Sequence, residues 1–79
     1  MKYVIVAEYE NREEELVDVE ILDKVSGSCE EAIKDVFWHF LHSGKTDIEL
    51  HAFGCEVYKG GVNFDYQEGR TIYELKGVE

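Results

Sequence analysis

Proline is missing from this chain of 79 residues, and cysteine, methionine and tryptophan number only two, one and one. Without proline, nothing in the chain fixes φ or removes a main-chain donor, so regular elements are expected to dominate. The two cysteines, Cys29 and Cys55, can close one bridge at most. That excludes the dense disulfide framework of a small secreted scaffold, and free thiols are the expectation.

Basic residues are scarce as well: eight Lys and Arg stand against eighteen Asp and Glu, for a net charge of −10. A molecule so charged repels phosphate backbones, which argues against direct nucleic-acid binding. Long apolar runs are also lacking. The longest, Tyr3 to Ala7, falls far short of the roughly 20 residues that span a bilayer, and the N-terminus has no signal-peptide pattern. The expectation is a cytoplasmic protein without a membrane contact.

What is present is enough apolar material for one modest core. Hydrophobic residues make up 44% and aromatics 13% of the chain, which separates it from disordered acidic tails. Its length suits one domain, residues 1–79. The charge is uneven, because residues 8–35 carry eleven acids and three bases while the remainder is nearly balanced.

Along the chain, Tyr3, Ile5, Ala7 and Tyr9 alternate with Val4, Val6, Glu8 and Glu10, the period of a strand. The polar run from Asn11 to Glu15 reads as a hairpin loop, and Val17, Val19 and Ile21 alternate with Asp18 and Glu20 in a second strand that pairs antiparallel with the first. One face of that second strand is expected to be wet. Ser28 followed by Glu31 fits a capping box and starts a helix near Cys29. Its apolar stripe is Cys29, Ile33, Val36, Phe37, Phe40 and Leu41, with Gly44 as a C-terminal cap.

Beyond the helix, Ile48, Leu50 and Ala52 alternate with polar residues until the phase switches at Phe53, which suggests a bulge or bend beside Gly54. Gly60-Gly61 marks a hairpin turn; Val62, Phe64 and Tyr66 then share one face and Asn63 and Asp65 the other. A turn at Glu68-Gly69 leads into a last strand from Thr71 to Leu75. The predicted fold is α+β, with an antiparallel sheet of four to five strands, ββαββ or ββαβββ, and one helix packed on one face.

The residues singled out for function are Glu8, Glu10, Asp18 and Glu20, all on the expected solvent faces of two paired strands, with the apolar rows turned to the core, and Glu13, Glu14 and Glu15 in the loop between them. Like charges close across a sheet are destabilising, so a sequence selected for stability alone would interleave Lys there. Two readings follow: carboxylates that imitate phosphates and dock into a basic groove, or an acidic surface kept for solubility. Trp38 lies about 140° around the helix from Ile33 at ~100° per residue. It is either an interface anchor or a ring folded over the helix edge to cap the core.

Asp35, His39 and His42 recur at helical spacing on one face. They are explained by the helix dipole as well as by a metal, and no metal or other cofactor is expected. Cys29 and Cys55 read as a thiol pair or, with His51, as a nucleophile and base, but Cys at an apolar helix position and Cys in a strand are commonly small core residues, which is the expectation here. Gly60-Gly61 lacks the context of a phosphate loop, and Phe53, Tyr58, Tyr66 and Tyr73 lack the Lys and Arg that surround base-stacking aromatics.

The functional expectation is a non-enzymatic, acidic, protein-binding inhibitor that occupies the basic surface of a nucleic-acid-handling complex. Phage-encoded inhibitors of host defence, anti-CRISPR proteins among them, offer a class analogy in size and charge. The alternatives are a general interaction module or a homodimer joined by an edge strand or open sheet face, and, further off, a metal-binding or thiol-based protein.

Overall fold

A computed structural model describes residues 2–42, 54–66 and 69–78. The elements run β1 (Lys2–Asn11), β2 (Leu16–Ser26), α1 (Cys29–His42), β3 (Gly54–Tyr58), β4 (Gly61–Tyr66) and β5 (Gly69–Val78). All neighbours pair antiparallel in the order β2-β1-β5-β4-β3, so the last strand lies in the centre and β2 and β3 form the edges. This is the α+β arrangement with a five-stranded sheet.

The loop between β1 and β2 is organised by one side chain. Asn11 Oδ1 accepts the amides of Glu13 at 2.9 Å and Glu15 at 3.0 Å, and the Asn11 main chain bonds Glu14 and Glu15. Glu14 adopts a left-handed φ of 63° to close the turn. This loop sets the register in which Tyr9 faces Asp18, Ala7 faces Glu20 and Val6 faces Ile21.

Helix α1 starts at Cys29 as its capping residues require. Ser28 Oγ accepts the Glu31 amide at 3.1 Å, while the Glu31 carboxylate accepts the Gly27 amide, one residue before the expected Ser28 amide. Its buried face is Ala32, Val36 and Phe40, with Ile33 and Phe37 half-buried. Cys29 and Leu41, expected in the stripe, are exposed, so the packed face is rotated towards the Ala32 side. Gly44, residues 45–53 and Glu68 lie outside the described residues, and with them the expected cap, the strand from Ile48 to Ala52, the phase switch at Phe53 and part of the last turn.

The core lies between α1 and the sheet face formed by Ile5, Ala7 and Tyr9 of β1, Thr71 and Tyr73 of β5, and Val62 and Phe64 of β4. Phe40 stacks on Phe64 at 3.9 Å between ring centroids, and Phe37 and Tyr73 meet Phe64 edge-on. Aromatic contacts of this kind add about 0.5–1.5 kcal/mol each beyond the area they bury. The turn between β3 and β4 is tight because Gly60 takes φ 99°. Gly61 has no room for a side chain between the Tyr73 carbonyl and the Tyr58 ring.

Candidate functional site

Residues directly opposite each other in an antiparallel pair share a sheet face. By the β1–β2 register, Glu8 and Glu10 lie on the open face, whereas Asp18 and Glu20 lie on the helix-bearing face, beside Tyr9 and Ala7. The acids form a jacket around the hairpin rather than one plane. Glu13, Glu14 and Glu15 sit at its exposed tip, and among the described residues none of these three carboxylates lies in an ion pair.

Beside the tip, a polar cleft of about 200 Å³ is lined in part by Glu10, Glu14, Asp65 and Arg70. Arg70 is engaged there by Asp65 at 2.5 Å.

On the open face, Glu8 stands between Val19 of β2 and Ile72 of β5. Hydrogen bonding to Glu74, burial and the negative charges of Glu74 and Glu10 push its pKa above the ordinary carboxylate value of 4.5, against a smaller pull from Lys76. Tyr58 shares this face, and its phenol is pushed up by burial and by Glu74, Glu8 and Glu56.

The second strand departs from the expected arrangement. Its apolar row was expected to face the core, yet Val17, Val19 and Ile21 are exposed at 66%, 48% and 66%. The alternation was right and its direction was reversed, because the loop register aligns Glu20, not Ile21, with the core residue Ala7. Val25 continues the exposed row beside Val4, after a register shift between Val4 and Val6. Of the apolar residues of β2, Leu22 packs partly against the core, and at the strand's end Ser26 is buried.

On the helix-bearing side, Glu20 is held by the fold. Tyr9 donates to Glu20 Oε1 at 3.0 Å, His39 Nε2 lies 3.6 Å from Glu20 Oε2, and His39 Nδ1 pairs with the Tyr73 hydroxyl at 2.8 Å. Burial first, then neighbouring groups that include Glu20, push both phenols well above their ordinary range, so Tyr9 and Tyr73 remain protonated.

Asp35 accepts from Lys24 at 2.8 Å and from the buried Ser26 hydroxyl at 2.7 Å. Burial alone would raise its pKa, but these two bonds outweigh it and hold the carboxyl below 3.8. His42 bonds the Trp38 carbonyl and stacks on the indole at 4.2 Å. The three residues spaced for a metal therefore turn to different partners.

Trp38 is 64% exposed and does not cap the core. With Leu22, Asp23, Lys24, Asp35 and His39 it walls a groove of about 390 Å³ between α1 and β2. Sequence reasoning missed this groove because its two walls come from elements that only the register brings together.

Both cysteines are exposed free thiols, and burial raises the pKa of Cys55, away from nucleophilic character. Tyr73 is buried, Tyr66 bonds Thr71 at 2.6 Å, and Phe53 and His51 lie outside the described residues. No described helix is long and apolar enough to cross a membrane. Compared with protein-family models, curated proteins and solved structures, the chain matches none.

Proposed function

We propose that this chain is a small acidic protein-binding domain that acts without catalysis, as an inhibitor occupying a basic, nucleic-acid-binding surface of a partner. The observation that carries this reading is the acidic hairpin: Glu13, Glu14 and Glu15 on a loop pinned by Asn11, with Glu8 and Glu10 on one face and Asp18 and Glu20 on the other. A pinned loop presents its carboxylates with less conformational freedom to lose on binding, which favours recognition of a surface that normally holds phosphates. Such surfaces belong to nucleic-acid-handling complexes, and phage inhibitors of host defence, the anti-CRISPR proteins included, are one class of small acidic domain that offers an analogy in size and charge. Trp38, exposed beside β2, supplies an aromatic anchor of the kind enriched at binding hot spots.

The test is capture from a host lysate at low salt, native protein against a variant with Glu10→Gln, Glu13→Lys, Glu14→Lys and Glu15→Lys. Glu20 is left intact because Tyr9 and His39 depend on it. The expected result is a nucleic-acid-handling protein bound by the native form, released by raising salt and missed by the variant, since exposed charge attraction is screened within about 8 Å at physiological ionic strength. Equal capture of the same protein by both forms would remove the acidic hairpin from the interaction.

A further inference from the structure

We infer that β2 is a docking edge that takes an extended segment of a partner protein, with apolar and basic residues in alternation, as a sixth strand of the sheet. The inference rests on the proposed basic partner and adds the mode by which it binds.

The sheet order ends at β2, an eleven-residue strand with no strand beyond it among the described residues. An edge of this length presents a row of main-chain donors and acceptors, the template used in strand addition. One of them is already turned aside: the Val19 amide donates to its neighbour Asp18 Oδ1 at 2.9 Å. An incoming carbonyl can replace that local acceptor.

The two faces of the edge differ in chemistry. On the open face stand Val17, Val19 and Ile21, apolar and exposed, continuous with the half-buried Val4 and Val6. Covering such side chains removes apolar surface from water, which favours association. On the helix-bearing face, Glu20 lies 3.6 Å from His39, which walls the groove together with Trp38, Asp23 and Asp35. A Lys or Arg side chain placed there meets carboxylates and an exposed indole, a site for charge pairing and for cation–π contact. Because side chains of an added strand alternate between faces, these two chemistries select a segment that alternates apolar and basic residues.

Charge decides against a second copy of this chain as the occupant. Two copies each bring a net charge of −10, and the one cation that β2 could offer its twin, Lys24, is engaged by Asp35. Like charges on paired strands oppose association, as natural sheet edges do by design.

The experiment uses three blocked ten-residue peptides: one alternating Val and Lys, one with the same residues in two blocks, and one alternating Val and Glu. Affinity is read from the emission of the single tryptophan, and strand formation from amide hydrogen exchange by NMR. The alternating Val-Lys peptide is expected to bind at least tenfold more tightly than the block peptide, to slow exchange along β2 and to alter Trp38 emission. A Val19→Thr and Ile21→Thr variant, which keeps charge and strand preference, is expected to weaken that binding severalfold.

Equal affinity for the two Lys peptides, with perturbation centred on Glu13 to Glu15, overturns strand addition and leaves the acidic-inhibitor reading standing. Binding of the Val-Glu peptide as tightly as the Val-Lys peptide overturns the basic partner for both. No binding of the alternating peptide at millimolar concentration overturns the docking edge, as does a stable dimer of the chain alone at neutral pH.

Discussion

At the scale of single residues, the hairpin keeps charges where stability would remove them. Glu8 is the clearest case, since its carboxyl is pushed above 4.5 by Glu74, by burial and by Glu10. A carboxyl whose folded pKa is raised stabilises the fold fully below its unfolded value and loses that contribution as pH rises through the folded value. The native protein is therefore penalised at neutral pH by the ionised Glu8. Glu8→Gln is expected to raise stability at pH 7 by roughly 0.2–1 kcal/mol, the range of a cross-strand charge pair. The gain should shrink as pH falls towards 4.5, and urea midpoints at the two pH values measure it. A variant less stable than the native protein at pH 7 would show that Glu8 is held for its contacts and not against its charge.

At the scale of elements, the chain states its periods clearly and its directions poorly. The alternation of Tyr3, Ile5, Ala7 and Tyr9, the Ser28 cap and the turn at Gly60-Gly61 are local signals, and each element appears where they place it. Which face of β2 turns to the core is not local. It follows from the loop register, and a slip of one residue in that register would turn Val19 and Ile21 to the helix-bearing face in place of Glu20. The same limit hid the groove, whose walls on β2 and α1 are joined by Asp35. That tie gives a prediction of its own: Asp35→Ala leaves the buried Ser26 hydroxyl without this acceptor, at a cost of about 1–3 kcal/mol at pH 7. Asp35 has a depressed folded pKa, so its contribution is present above the unfolded value of 3.8 and is lost as pH falls through the folded value. The difference between native and variant in thermal unfolding is expected to be widest near neutral pH and to narrow below pH 3.8. A difference unchanged down to pH 2 would assign the effect to packing alone.

At the scale of the whole molecule, an uncovered apolar edge and a large negative charge oppose each other. Val17, Val19, Ile21 and Val25 line one long edge strand, a surface that in a neutral protein invites edge-to-edge pairing. The net charge of −10 at pH 7 holds copies apart. The balance should therefore tip when the charge is titrated away, near the isoelectric point of about 4.6, where loss of net charge promotes association. Light scattering is expected to show a monomer at pH 7 and a rising mass as pH approaches 4.6, with added salt shifting the onset towards neutral pH. Val19→Thr with Ile21→Thr leaves the charge unchanged and should delay that rise. If the double variant associates at the same pH as the native chain, the β2 edge is not the adhesive surface. Delayed association would instead identify one strand whose exposed apolar row is kept apart from its own kind by charge and left open to a partner of opposite sign.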